Sequence, residues 1–153
     1  MMKNILLILG TLGILCSSQA QELTPEQEEI KDHITEYYWN VMYTNAERKP
    51  INAIAEGFSE DFHMYVYWDG ELSKRTRDEW MAILQKNRDK ADPNMPKKSN
   101  SLEFGYIDVT GYTASTKLLI SQEGKLKYTD YMTLYKVDGK WQVMSKLFTY
   151  HGE

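Results

Sequence analysis

The residue of this chain best placed to do chemistry is a carboxylate set among apolar neighbours. Asp130 lies in Tyr128-Thr129-Asp130-Tyr131-Met132-Thr133-Leu134-Tyr135, an aromatic and β-branched run that leads to Asp138-Gly139 and then to Lys140-Trp141-Gln142-Val143-Met144. Asp-Gly between two such runs is the signature of a type I′ hairpin turn. With those two residues as the loop, Leu134 faces Val143, Met132 faces Ser145 and Asp130 faces Leu147. Alternation then places Tyr128, Asp130, Met132, Leu134, Trp141, Val143 and Leu147 on one face. Thr129, Tyr131, Thr133, Tyr135, Gln142, Met144, Lys146 and Phe148 fall on the other.

A carboxyl group taken out of water holds its proton more readily, and can serve as a general base or, when neutral, as a hydrogen-bond donor. This is the chemistry expected of Asp130. The alternative is that tyrosine hydroxyls or backbone groups near the sheet rim satisfy it. The shortest turn at Glu123-Gly124 would set Lys117 opposite Asp130, and a salt bridge would then account for the aspartate without any function; a turn one residue longer puts a neighbour there instead. With no partner left stranded, Asp130→Leu is expected to cost little or even to stabilise.

A second proton carrier would be His63, on a strand pinned by Phe62 and Met64; an ordinary exposed histidine is the plainer reading. Tyr37, Tyr38, Tyr65, Tyr67 and Trp68 are expected to line a pocket and stack a planar ligand, with Tyr128 and Met132 on the face of Asp130, although such residues serve equally as core. His33, His63 and His151 fit no metal-ligand spacing, so no metal site is expected. The sequence has no Gly-rich phosphate loop, Gly-x-Ser-x-Gly elbow or Cys-x-x-Cys, and no cofactor is expected.

The elements that must position these groups follow from periodicity. Thr24-Pro25-Glu26-Gln27 forms a capping box with proline at the first helical position, and Ile30, Ile34, Tyr37, Tyr38 and Val41 continue at helical spacing to near Asn45. A short helix is expected over Pro50 to Glu56, stopped by Gly57. Phe62 to Trp68 alternates as a strand that Asp69-Gly70 breaks. Thr76-Arg77-Asp78-Glu79 is a second capping box, opening a helix to about Lys90. Leu102 to Val109, Thr113 to Ser121 and the two arms of the Asp138-Gly139 hairpin are strands. The order predicts an α+β fold, with about three helices packed on one face of a curved antiparallel sheet that encloses a cone-shaped space suited to a ligand.

The chain has 153 residues, enough for one core and too few for two ordinary domains. Met1 to Ala20 reads as a signal peptide: Lys3, an apolar run from Ile5 to Leu15, and Ser18-Gln19-Ala20 before Gln21. The run is too short to span a bilayer. A secreted or periplasmic domain of residues 21–153 is therefore expected, without Cys16, the chain's one cysteine; lipidation of Cys16 is the alternative. Removing Lys3 takes the net charge from −4 to −5, 17 basic residues against 22 acidic. A mildly acidic domain without a basic stripe is a poor nucleic-acid binder. Thr129, Tyr131, Thr133 and Tyr135, with Met144 and Phe148, make a face suited to a homodimer.

Phe58-Ser59-Glu60-Asp61-Phe62, Ile107-Asp108-Val109-Thr110-Gly111-Tyr112-Thr113-Ala114 and the Tyr128 to Trp141 run resemble the "putative lumazine-binding" branch of the nuclear transport factor 2-like (SnoaL-like) superfamily. The likeness covers nearly all of Thr24 to His151. It implies the cone-shaped fold and, as one candidate ligand, a small aromatic heterocycle. Folds of this superfamily host ketosteroid isomerases, polyketide cyclases, dehydratases and binding proteins without chemistry, so fold does not settle function. Three functions follow: a small-molecule-binding module, which is the preferred reading; an acid-base enzyme with Asp130 or His63 as proton carrier and a tyrosine as oxyanion donor; and an accessory domain used for association.

Overall fold

The computed structural model describes residues 22–44, 48–92 and 94–152. The expected signal peptide and Cys16 lie outside the described residues. Three helical segments follow one another at the start: α1 (Pro25–Ile34), a π-helical turn (Thr35–Trp39) and α2 (Asn40–Met42). Thr24 caps the first with its hydroxyl and Gln27 returns the bond to the Thr24 backbone, the reciprocal capping box of the sequence. In the π turn the Asn40 N–H reaches the Thr35 carbonyl, five residues back, a widening found often at functional sites.

A 3₁₀ turn (Ile51–Ala53) and α3 (Ile54–Gly57) lead into β1 (Phe58–Trp68). A hairpin joins β1 to β2 (Glu71–Thr76), where the sequence predicts only a break after β1. Its signal was present in Asp69-Gly70, whose positive φ values of 50° and 83° make a type I′ turn. Helix α4 (Arg77–Asp89) starts on the Thr76/Glu79 capping box. β3 (Asn100–Thr110), β4 (Thr113–Gln122), β5 (Lys125–Val137) and β6 (Lys140–Tyr150) complete a six-stranded sheet in the order β2-β1-β6-β5-β4-β3. Among the described residues only β1 and β6 pair in parallel.

The α+β cone is as the sequence predicts. Ile30, Ile34, Tyr38 and Val41 from the first helices meet Phe58, Phe62, Leu118, Ile120, Met132, Leu134 and Val143 from the sheet, all essentially without solvent contact. Each large apolar side chain so buried contributes about 1.5–3 kcal/mol. Two polar links fix the helices on the sheet, Gln27 Nε2 donating to the Ile107 carbonyl at 2.7 Å and Trp141 Nε1 to Glu29 at 3.0 Å, and a third joins α4 to α2, Arg88 donating to the Val41 carbonyl at 2.7 Å. The last also satisfies a carbonyl at a helix end.

One irregularity decides the chemistry. Leu134 pairs with Val143 as predicted, but Thr133 pairs with Ser145, so Met144 is an extra residue on β6. A β-bulge of this kind shifts alternation by one from there onward. Met132 therefore faces Lys146 and Asp130 faces Phe148, not Ser145 and Leu147. Lys146 turns inward at 5% exposure and Leu147 outward at 50%. The predicted places of Lys146, Leu147 and Phe148 are thus each reversed, since a one-residue slip exchanges the faces of a strand.

Candidate functional site

Asp130, from β5, is wholly buried. Its Oδ2 accepts hydrogen bonds from the Tyr38 hydroxyl at 2.5 Å and from Lys146 Nζ at 2.6 Å, and Lys146 Nζ also donates to the Tyr38 oxygen at 2.7 Å. Three elements supply the three groups: the π turn brings Tyr38, β5 Asp130, and the bulged β6 Lys146. Lys117 is not the partner; it faces Tyr131, and Leu118 is the residue opposite Asp130. The Glu123-Gly124 turn is itself tight, with φ of 52° and 74°, but a register shift between Ile120 and Ser121 displaces everything beyond it.

The surroundings are aromatic. Lys146 Nζ lies 4.7 Å from the centre of the Tyr38 ring, 5.1 Å from Phe148 and 5.6 Å from Trp80, distances at which a ring face attracts a cation. Taking both charges out of water costs several kcal/mol per ion, which their mutual attraction offsets only with good geometry and added hydrogen bonds. Tyr38 supplies one such bond. Asp130 Oδ1 is also buried and, among the described residues, has no hydrogen-bond partner; an oxygen so placed calls for a reason, since buried acceptors are almost always satisfied.

Burial holds the Tyr38 hydroxyl well above the ordinary phenol range, and the charge of Asp130 reinforces this. Tyr43, whose hydroxyl lies 3.5 Å from that of Tyr38, is raised for the same first reason, desolvation, with Asp130 next. Both phenols therefore stay protonated at neutral pH and can act as neutral donors.

Beside the triad, at the open end of the cone, is a groove of about 670 Å³ walled by Val66, Trp68, Arg75, Tyr128, Phe148 and Tyr150. Its rings form a connected series: Trp68 to Tyr150 at 6.1 Å, Tyr150 to Tyr128 at 5.3 Å, and Tyr128 to Phe148 at 6.2 Å. Phe148 belongs to both places, lining the groove and covering Lys146.

Of the residues predicted for a site, Tyr38, Asp130 and Met132 converge in the interior, with Met132 directly across from Lys146. Trp68 and Tyr128 meet in the groove. His63 and Tyr65 are left out of both, since their alternation with buried Phe62, Met64 and Val66 turns them to the other face of the sheet. Tyr37 lines a separate groove of about 660 Å³ beneath α1, with Glu29, His33, Glu36 and Trp141. Lys146, Tyr43, Phe148 and Tyr150 were missed. Lys146 was hidden by the bulge, since strict alternation along β6 places it on the outer face. Among the described residues no cluster of three or more His, Cys, Asp or Glu could hold a metal ion, and no helix is long and apolar enough to cross a membrane.

Comparison with known proteins agrees with this architecture. The model of a family described as "Putative lumazine-binding" matches residues 25–149. A protein named aldolase FrzH, from Cladobotryum sp, is 28% identical over 124 residues, which span 76% of this chain and 94% of that protein. Among solved structures, an NTF2-like protein of unknown function from Silicibacter pomeroyi DSS-3 is similar with a TM-score of 0.62 at 18% identity, over 84% of this chain and all of that one. Another, from Shewanella baltica OS155, has a TM-score of 0.62 at 21% identity over 86% of this chain and all of its own. The match over residues 25–149 shows that the chain belongs to the "putative lumazine-binding" family, and the cone with its final hairpin is the fold of the NTF2-like proteins.

Proposed function

We propose that the protein is an exported domain that binds a small, planar, partly aromatic molecule in the groove of Trp68, Tyr128, Phe148 and Tyr150. The observation that carries this is the connected series of rings around one groove at the mouth of the cone. Trp68 keeps 57% of its surface exposed there, leaving a ring face for stacking. The volume suits a small ligand, for which pockets of roughly 300–1,000 Å³ are usual. The family description supports a fused heterocycle. Titration with lumazine, read by tryptophan fluorescence, tests it: saturable quenching that Trp68→Ala removes is expected, and no quenching by lumazine would count against a heterocycle ligand. The half-exposed residues Tyr131, Tyr135 and Leu147 on the outer face support a homodimer; sedimentation as a monomer at micromolar concentration would oppose it.

A second reading, acid-base catalysis beside a carbonyl group, is favoured by the Tyr38 hydroxyl lying 2.5 Å from Asp130 in a buried site. The similarity to a protein named an aldolase supports the same class of chemistry. Solvent deuterium entering the methyl group of acetophenone, followed by NMR, tests it. Incorporation that Asp130→Asn abolishes is expected; incorporation no faster than in buffer would sink it.

A further inference from the structure

We propose that Lys146 is a covalent site for a carbonyl compound, its Nζ condensing with an aldehyde or ketone to form an imine. This rests on the second reading above, and gives the site its nucleophile. Three observations converge. The amine is almost fully buried, in a box of Tyr38, Trp80 and Phe148 rings that shields it from water. The two groups it touches are the two that condensation needs: the Asp130 carboxylate at 2.6 Å, which can take its proton, and the Tyr38 phenol at 2.7 Å, whose oxygen accepts from the amine and whose own proton can pass to a substrate oxygen. Asp130 Oδ1, buried without a protein partner among the described residues, is an acceptor left over once Oδ2 holds the amine and the phenol. A purely structural ion pair would be expected to use both oxygens.

The steps balance within these three side chains. Lys146 passes one proton to Asp130 and its freed lone pair attacks the carbonyl carbon, forming the C–N bond as the carbonyl π pair moves onto oxygen. Tyr38 gives its proton to that oxygen and takes one back from nitrogen, leaving a neutral carbinolamine. Asp130 then returns its proton to the hydroxyl, the C–O bond breaks, water leaves, and the nitrogen lone pair closes a protonated C=N bond. Asp130 and Tyr38 finish as they began. The substrate reaches the amine from the aromatic groove, and Phe148 is the side chain between the two.

Acetophenone, whose ring suits the groove and whose ketone reacts slowly with free amines, is the probe. The whole protein is incubated with acetophenone and sodium cyanoborohydride, whose hydride reduces C=N to a stable secondary amine, and the adduct is mapped by peptide mass spectrometry. Binding is followed separately by tryptophan fluorescence. The expected result is a single adduct on Lys146, lost in Lys146→Arg, formed faster in Phe148→Ala and more slowly in Asp130→Asn. Modification of surface lysines with Lys146 untouched, or Lys146 modified no faster than they are, would overturn the proposal in the unmutated protein, whatever the variants do. Fluorescence quenching without an adduct would overturn the imine alone; neither quenching nor adduct would remove the carbonyl reading with it.

Discussion

Lys146 and Asp130 meet inside the cone only because β6 carries one residue more than β5 between the Leu134/Val143 pair and the Thr133/Ser145 pair. The extra residue, Met144, turns an otherwise outward lysine into the partner of a buried carboxylate. Removing either partner leaves the other charge buried and alone. Asp130→Leu is therefore expected to destabilise by about 3–5 kcal/mol, as is Lys146→Met, whereas the double variant Asp130→Leu/Lys146→Met should fall within about 1–2 kcal/mol of the native chain or exceed it. This reverses the tolerance that the sequence predicted for Asp130→Leu, because that expectation required that no partner be stranded. Urea denaturation of the four proteins as a double-mutant cycle checks it, and additive losses would contradict the coupling.

Gly57 is fixed by space, not by φ. A Cβ there would lie 2.3 Å from Cβ of Tyr37 and 2.5 Å from its Cγ, atoms held close to the helix backbone. Gly57→Ala is expected to cost about 1–3 kcal/mol through forced displacement of the helix. Thermal unfolding followed by circular dichroism decides it, and an unchanged melting temperature would show that the first helix yields freely.

His33 predicts a pH dependence of stability. Desolvation lowers its affinity for a proton in the folded chain, while its Nε2 hydrogen bond to the Gly57 carbonyl at 2.8 Å opposes this only in part. Tyr37 lies at 5.0 Å, and Glu29, Asp32, Glu36, Glu56 and Lys140 share its groove. Below about pH 6.5 the unfolded chain takes up a proton that the folded chain still refuses, so stability falls as pH drops from that value towards the lowered folded pKa. His33→Gln should flatten that part of the profile. A wild-type melting temperature constant from pH 7 to 5, or a variant with the same slope, would disagree.

At the alkaline end the sign is opposite. Tyr38 and Tyr43 are held protonated by burial, so the unfolded chain releases protons near pH 10 that the folded chain keeps, and stability is lost as pH rises through that range. Ultraviolet titration of the folded protein should show at least two tyrosines that ionise only on unfolding. Complete ionisation with the native circular dichroism intact would contradict the buried placement.

Most of the fold was legible in the chain. Both capping boxes and the Asp138-Gly139 turn are local signals in which a few residues fix backbone geometry by themselves; Gly57, expected to stop the helix ahead of it, is instead the last residue of α3, held there by the closeness of Tyr37. β2 was lost because Glu71-Leu72-Ser73-Lys74-Arg75 is an edge strand with little burial, and so carries no alternation to read. Asp130 stood out correctly as a polar residue on an apolar face. Its partner did not, since a bulge depends on how two strands fit over the core and leaves no mark in the spacing of Met144, Ser145 and Lys146. His63 illustrates the converse: alternation in β1 was read correctly, but the sequence does not say which of its two faces looks into the cone.

Native mass spectrometry of the protein purified under mild conditions reads out whether the aromatic groove holds a small molecule. The expected spectrum holds a population heavier than the polypeptide by the mass of a small organic ligand, or one that appears on adding lumazine, and that Trp68→Ala and Tyr128→Ala both diminish. A bare polypeptide mass that stays unchanged in the presence of lumazine and acetophenone, with the protein folded, would contradict it.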